Sequence, residues 1–174
     1  MPELAEVELA RRQWAACHGD TIIDVNVHNK ARIYRDCPSA ALGILKGKLL
    51  RSSHAHGKRM LFTFAPEIHL EVHLGMSGKL STAPPDYPEQ KHDHLILHTA
   101  KAALIFNDYR MFGRVMLHDC ANPWADLPPQ PQDSKFSLIH VRKLIKRHPT
   151  KPLKALLLDQ NACPGIGNWM ADAI

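Results

Sequence analysis

Apolar residues recur at helical spacing near the start of the chain. The period is three or four positions, and the residues are Leu4, Val7, Ala10 and Trp14. This period is typical of one buried face of an α-helix. Gly19-Asp20 is a turn signal that ends it. The pattern predicts a helix over about residues 4–17.

The middle of the chain alternates apolar and polar residues, which is typical of β-strands with one buried face. In residues 68–74 the even positions are apolar, whereas His69, Glu71 and His73 share the opposite face. Strands are predicted over residues 21–28, 48–56, 59–64, 68–74, 94–98, 102–106 and 115–118. Many short strands after one helix predict a β-sandwich.

The last part of the chain has a different pattern. Four prolines fall within residues 122–132, which favours a linker. Helical spacing follows up to His148-Pro149, Pro152 suits the first turn of a second helix, and a third helix begins near Trp169. The predicted class is α+β, with a β-rich domain (1–120), a linker (121–134) and an incomplete helical domain (135–174). The short third helix predicts an element cut short at Ile174.

Composition limits the possible functions. The 174 residues carry 22 Lys and Arg against 17 Asp and Glu, a formal charge of +5, and this excess is compatible with a polyanionic partner. The four cysteines (Cys17, Cys37, Cys120 and Cys163) form no Cys-x-x-Cys pair, which favours a reducing compartment over a zinc site or a disulfide framework. No apolar run has the length of a membrane span or the form of a signal peptide. We therefore expect a cytosolic protein.

The first residues are candidates for covalent catalysis. If Met1 is removed, Pro2 presents a secondary amine that can attack an electrophilic carbon and form a Schiff base, and Glu3 supplies a neighbouring acid. The alternative is that Pro2 merely opens the helix. Taken alone, the pair favours that alternative.

Three loops carry further candidates. Lys58 lies between two predicted strands, where it can meet a phosphate or be a solvated turn residue. Met76, between two glycines at a loop tip, can wedge between DNA bases, although methionine is usually a core residue. Arg110 and Phe112 are two apart on another turn, so one can fill a base-pair gap while the other stacks. The alternative for this turn is ordinary hairpin packing.

Two other patterns suggest anion or metal binding. Residues 165–168 (Gly-Ile-Gly-Asn) open a helix whose free N–H groups and Asn168 amide suit a phosphate, unless the segment is only a helix-linking turn. The pairs His54/His56 and His92/His94 could each face one way on a strand, but no third metal ligand follows at a sensible spacing. Surface or phosphate-contacting histidines are the favoured interpretation.

The order of these motifs is more specific than any one of them. Pro2-Glu3, Gly57-Lys58, residues 73–78 (His-Leu-Gly-Met-Ser-Gly), Arg110-x-Phe112-Gly113, and residues 158–160 followed by 165–168 occur in one succession. Over essentially the whole chain this set resembles the formamidopyrimidine-DNA glycosylase family of base-excision repair enzymes. The resemblance implies a two-layer β-sandwich, then a helix–two-turns–helix domain, with DNA bound in the cleft between them.

The resemblance also implies roles for the candidate residues. Pro2 would attack C1′ of the damaged nucleotide, Glu3 would protonate the opening sugar, and Lys58 would hold a phosphate beside them. Glu6 would orient the lesion end of the pocket. The gap left by the flipped base would be filled by Met76, Arg110 and Phe112. Phosphates would be contacted by His73, Asn168 and, as a weaker candidate, Lys154.

The implied activity is removal of oxidised purines (8-oxoguanine and formamidopyrimidines) from double-stranded DNA by Schiff-base chemistry and strand cutting by β,δ-elimination. The protein would act as a monomer, with no membrane partner. The alternatives are an oxidised-pyrimidine glycosylase of the endonuclease eight branch and a non-catalytic damaged-DNA-binding module.

The chain departs from the family pattern at three places. Ala5 replaces a proline, and Met111 replaces the second arginine of Asp-x-Arg-Arg-Phe-Gly. Family members continue into a C-terminal zinc finger or a zincless counterpart. We expect no cofactor in this chain, zinc only in the full-length family, and weak binding and poor turnover by a truncated chain.

Overall fold

The β-rich part consists of two four-stranded antiparallel sheets. The computed structural model describes residues 2–34 and 37–174. Its strands are β1 (Asp24–Val27), β2 (Leu50–His56), β3 (Arg59–Phe64), β4 (Ile68–His73), β5 (Lys79–Ala83), β6 (Asp93–His98), β7 (Ala103–Asn107) and β8 (Arg114–His118). Sheet 1 has the order β1-β6-β7-β5, and sheet 2 has the order β2-β3-β4-β8. The predicted two-layer β-sandwich with a leading helix is confirmed.

Helix α1 (Leu4–Ala15) closes one side of the sandwich, since it packs against the edge strands β5 and β2. Trp14 is fully buried, with its ring 4.9 Å from that of Phe62. Its indole N–H donates to the carbonyl of Ser81 in β5 at 3.2 Å. The buried face of α1 therefore fixes the direction in which the N-terminus leaves the sandwich.

Most predicted strands occur within two residues of their expected bounds, and β3 matches at both ends. The first strand is shorter than predicted, because Thr21 forms only an isolated bridge with Leu49. Strand β5 was missed, since Leu80 is the only large apolar residue in it and alternation is not visible. Two 3-10 segments, Arg32–Tyr34 and Ser39–Leu45, were also not predicted.

The outer face of sheet 2 is covered where the sequence pattern shows polar residues. His69 and Glu71 are less than one-tenth exposed. The proline-rich stretch lies over this face, and the Trp124 indole N–H donates to Glu71 Oε2 at 2.9 Å. Further along, Gln130 Oε1 accepts the backbone N–H of Gly57 at 2.8 Å. The predicted linker is thus held against the sheet; its boundaries at residues 121 and 134 remain a prediction.

The C-terminal part contains α2 (Leu138–Arg147), α3 (Leu153–Leu157) and α4 (Asn168–Ala173). Pro152 is the N-cap of α3 rather than a residue of its first turn. These helices share a small core of their own, formed by Leu144, Leu156, Ala162, Cys163 and Ile166. Among the described residues, no helix has the length and apolar character needed to cross a membrane.

Candidate functional site

Glu3 joins the N-terminus to the helical part of the chain. Its side chain is buried, with Oε1 accepting the backbone N–H of Trp169 and Oε2 that of Met170, both at 3.2 Å. A Cβ on Gly167 would lie 2.1 Å from Glu3 Oε1, so only glycine leaves room for this carboxyl group. The N–H groups of Trp169 and Met170 are therefore not free for a phosphate, contrary to the expectation for this helix start.

Pro2 and Glu6 lie at the start of α1, on either side of Glu3. The Glu6 carboxylate accepts the backbone N–H of Glu3 at 2.9 Å, and this bond caps the helix. Pro2, Glu6 and Met76 line one groove of about 390 Å³. The structure thus brings together the predicted nucleophile, the predicted lesion-pocket residue and one predicted wedge residue.

Lys58 lies on the turn of the β2–β3 hairpin, as predicted, but it is only 7% exposed. It is therefore not a solvated turn lysine. Burial lowers the pKa of Lys58, and the nearby Glu3 carboxylate acts in the opposite direction. A buried amine beside a carboxylate is suited either to an anion or to nucleophilic chemistry.

The turn before α4 packs directly on the N-terminal helix and the hairpin. Gly165 has φ +89°, and a Cβ there would lie 2.3 Å from Leu4 and 3.1 Å from the Cα of Gly57. Gln160 Oε1 accepts the Gly165 N–H at 2.9 Å, and its amide donates to the Ile166 carbonyl at 2.9 Å. Three segments distant in sequence therefore meet at one point.

The predicted wedge residues project from two adjoining loops. Met76 is 52% exposed and Phe112 is 50% exposed. The Arg110 guanidinium lies 4.7 Å from the centre of the Phe112 ring, a cation–π contact. A Cβ on Gly75 would lie 2.4 Å from the Phe112 backbone, so the two loops touch. Exposed apolar side chains at these tips do not fit ordinary hairpin packing.

Asp108 was not singled out from the sequence, although it opens the Asp-x-Arg motif. It is fully buried and accepts the Ser77 hydroxyl from one wedge loop. In the other loop, it accepts the backbone N–H of Gly113 at 2.7 Å and of Arg110 at 3.2 Å. Asp108 therefore holds the two wedge loops together.

His94 also supports the wedge loop that contains Arg110 and Phe112. It was expected at the surface or on a phosphate, but it is 2% exposed. Its Nε2 donates to the Asp108 carbonyl at 2.8 Å. The expectation for His94 was wrong because its partner comes from β7's end, which the spacing of histidines does not reveal.

A cationic cleft of about 360 Å³ lies between sheet 2, the proline-rich stretch and the turn before α4. Lys58, His73 and Phe112 line it, so the structure groups two predicted phosphate contacts with a wedge residue. Burial lowers the pKa of His73, and the positive charges of Arg114, Arg59 and Lys58 lower it further. Its Nδ1 accepts the Gly75 N–H at 3.0 Å.

The other two predicted phosphate contacts lie outside this cleft. Asn168 is the exposed first residue of α4. Lys154 on α3 forms an ion pair with Asp172 on α4. Their phosphate roles remain predictions.

Metal-ligating side chains do not cluster within residues 2–34 and 37–174, where no group of three or more His, Cys, Asp or Glu is placed to hold a metal ion.

The fold and the site define a β-sandwich protein whose N-terminus, wedge loops and cationic cleft adjoin a helical unit. The family model for the formamidopyrimidine-DNA glycosylase N-terminal domain matches residues 1–115. The chain belongs to the formamidopyrimidine-DNA glycosylase family.

Individual relatives agree with this assignment. The formamidopyrimidine-DNA glycosylase of Lactobacillus gasseri is 32% identical over 181 residues, covering 100% of this chain and 65% of the relative. That of Methylococcus capsulatus is 35% identical over 179 residues, covering 99% of this chain and 65% of the relative. The chain thus spans about 65% of the length of these relatives.

Solved structures show the same similarity. The Lactococcus lactis formamidopyrimidine-DNA glycosylase, non-covalently bound to DNA containing an AP site, matches with a TM-score of 0.84 and 32% identity. The match covers 95% of this chain and 65% of that chain.

Proposed function

We propose that this chain acts in base-excision repair as a DNA glycosylase with AP lyase activity on damaged double-stranded DNA. The observation that carries the proposal is the position of Glu3, which α4 holds buried directly after Pro2 and near Lys58. The Lactococcus lactis relative bound to AP-site DNA supports the same class of substrate. The relatives are bacterial, which supports action in the bacterial cytoplasm.

The chemistry begins at the Pro2 amine once Met1 is absent. The nitrogen lone pair forms a bond to C1′ of the damaged nucleotide, and the bond between C1′ and the base breaks, so that the base leaves with its electron pair and takes up the proton that the Pro2 nitrogen loses. Glu3 donates a proton to O4′ as the sugar ring opens to an iminium. An α-amino group has a pKa of about 7.7–8.0, against about 10.4 for lysine, so much more of it is neutral near pH 7.

Strand cutting follows from the iminium. Its positive charge acidifies C2′, and loss of that proton expels the 3′ phosphate by β-elimination. A second elimination expels the 5′ phosphate, and hydrolysis of the remaining adduct returns the Pro2 amine. One amine thereby serves base removal and both cuts.

Base removal also requires the nucleotide to leave the helix, because C1′ inside a duplex cannot reach the Pro2 amine in its groove. Extrusion costs a few kcal/mol, and wedge residues recover part of it by replacing lost stacking. The exposure of Met76 and the contact between Arg110 and the Phe112 ring support this role.

The proposed lesions are oxidised purines, 8-oxoguanine and formamidopyrimidines. The complete wedge trio supports this class over the oxidised pyrimidines of the endonuclease eight branch. Parallel cleavage assays on duplexes carrying 8-oxoguanine or an oxidised pyrimidine test the choice, and preference for the pyrimidine lesion would reverse it.

Borohydride trapping on abasic-site duplex DNA tests the central chemistry. We expect wild type to form a covalent adduct that is lost in Pro2→Gly and persists, in reduced amount, in Lys58→Ala. Loss only in Lys58→Ala would identify the buried lysine as the nucleophile. No adduct in wild type, with binding retained, would favour the non-catalytic damaged-DNA-binding module.

A further inference from the structure

Four basic side chains form one line across all four strands of sheet 2. The register pairs His56 with Arg59, Arg59 with His73, and His73 with Arg114. Directly paired residues of neighbouring antiparallel strands project from the same face of a sheet. We call these four residues the cationic row. Strands β2, β3 and β4 follow one another in the sequence, whereas β8 does not follow them directly. The row therefore exists only in the folded sheet.

The charge is concentrated at one end of the sheet. The next line on the same face contains His54, Leu61, Glu71 and Met116, which includes two apolar residues and one carboxylate. Lys58 lies beside the cationic row at the hairpin turn, and Phe112 lines the same cleft. The row therefore extends from the buried lysine towards the wedge.

Glu71 offsets only part of the charge of the row, through an ion pair with Arg59. Among the described residues that line the cleft it is the only carboxylate. Its Oε2 already accepts the Trp124 indole N–H at 2.9 Å and lies 3.1 Å from His118 Nε2, while Oε1 is 3.6 Å from Arg59. Glu71 thus interacts with several donors at once, and the basic residues Lys58, Arg59 and Arg114 line the same cleft.

The arginines of the row face solvent. The Arg59 side chain is 50% exposed, and Arg114 is exposed. Like charges on paired strand positions repel one another. Burial is the main cause of the lowered pKa of His73, and the positive charges of Arg114 and Arg59 on either side lower it further. An exposed line of like charge becomes favourable when a polyanion covers it.

We propose that Arg59 and Arg114 bind separate phosphodiesters of the DNA backbone and extend the Lys58–His73 phosphate site across sheet 2 to the wedge. Strand spacing of about 4.8 Å places their backbones about 10 Å apart on either side of His73, wide enough for separate phosphodiesters. The proposal rests on the proposed function, since that function supplies DNA as the polyanion.

The salt dependence of binding tests this role. The probe is a fluorescent duplex carrying a tetrahydrofuran abasic analogue, and its affinity for the full chain is measured over about 50–200 mM salt. Each lost phosphate contact lowers the slope of log K against log salt by about 0.9. We therefore expect the slope in Arg59→Gln/Arg114→Gln to fall by about 1.8 from the wild-type value.

Two further variants separate charge from structure. Arg51→Gln removes an exposed arginine of the same sheet, at the other end of β2, where Arg51 contacts the Pro66 carbonyl, and it should keep the wild-type slope. Arg59→Lys/Arg114→Lys keeps both charges and should also keep most of the slope. A glutamine double variant with the slope of Arg51→Gln would overturn the proposal, as would a lysine variant with the slope of the glutamine variant.

Borohydride trapping with the same protein preparations separates this proposal from the proposed function. One outcome is that wild type binds, the slope falls in the glutamine variant, and no borohydride adduct forms on abasic DNA. That outcome would support the role of the cationic row and contradict the proposed lyase activity. If the adduct forms and the slope is unchanged, only the cationic row fails. Absence of wild-type DNA binding at every salt concentration would overturn both.

Discussion

The carboxyl group of Glu3 accepts a hydrogen bond from the backbone N–H of Trp169 at 3.2 Å, although 166 positions separate the two residues. The predicted acid next to the N-terminal amine is therefore oriented by the last helix of the chain. A change in the turn before α4 should reach the chemistry through this contact.

Gly167→Ala tests that connection. Because its Cβ would lie 2.1 Å from Glu3 Oε1, the carboxyl group must move, and a displacement of about 1 Å can reduce catalysis about 100-fold. We expect a loss of that order in single-turnover cleavage of abasic-site duplex. Gly43→Ala is the control, since a Cβ there meets nothing within 4 Å. Equal activity in the two variants would contradict the role of this contact.

Asp108→Ala should destabilise the protein and loosen both wedge loops. The change leaves the Gly113 and Arg110 N–H groups without their acceptor, and a buried donor left unsatisfied costs about 1–3 kcal/mol. We expect the free energy of unfolding in urea to fall by about 2–3 kcal/mol. In the control, Asp24→Ala removes an exposed ion pair with Lys46 and an exposed contact with the Val25 backbone, and it should change stability by less than about 1 kcal/mol. A similar small loss in Asp108→Ala would show that the loops are held by other contacts.

Phe112→Ala should weaken DNA binding without weakening the fold. The ring is half exposed, so stability should stay within about 0.5 kcal/mol of wild type. Loss of base–aromatic stacking should cost about 1–3 kcal/mol in affinity for an abasic-site duplex, measured by fluorescence anisotropy, and less for an undamaged duplex. Equal losses on both duplexes would argue against a wedge.

His73 should make stability depend on pH. Burial, followed by Arg114, Arg59 and Lys58, lowers the pKa of His73 in the folded state, below the unfolded value of about 6.5. Above that value the residue is neutral in both states. As pH falls below it, the unfolded chain binds the proton more readily, so stability is lost until the folded pKa is reached.

Urea unfolding at about pH 8 and about pH 5 measures this effect. We expect His73→Gln to lose less stability over that interval than wild type. Because His18 and His69 also have lowered pKa values, their contribution should remain in the variant. An identical pH dependence in both proteins would show that the proton binds His73 as readily in the folded state as in the unfolded chain.

The sequence predicts the fold best where local pattern and burial agree. Strand β3 has matching bounds because apolar alternation begins directly after the Gly57-Lys58 turn. Strand β5 has one large apolar residue and is held by pairing with β7, which no local pattern reveals. The buried polar face of β4 was also invisible, since the Trp124 contact that covers Glu71 spans 53 positions.

The same distinction between local sequence pattern and tertiary contacts applies to the candidate site. Single candidates such as Pro2, Lys58 and Phe112 stand in short motifs, and the ordered set of motifs indicates the family. The partners of those residues depend on tertiary structure. Asp108 bridges two loops, and the cationic row depends on the register of four strands.

The identity of the atom that attacks the sugar is the central claim, and peptide mapping of the trapped adduct measures it directly. After borohydride reduction on abasic-site DNA and digestion with nuclease and trypsin, mass spectrometry locates the sugar remnant. We predict that it lies on the peptide whose first residue is Pro2, and only in molecules that lack Met1, because retention of Met1 converts the Pro2 nitrogen to an amide. A remnant on the side chain of Lys58, or on chains that keep Met1, would contradict this account.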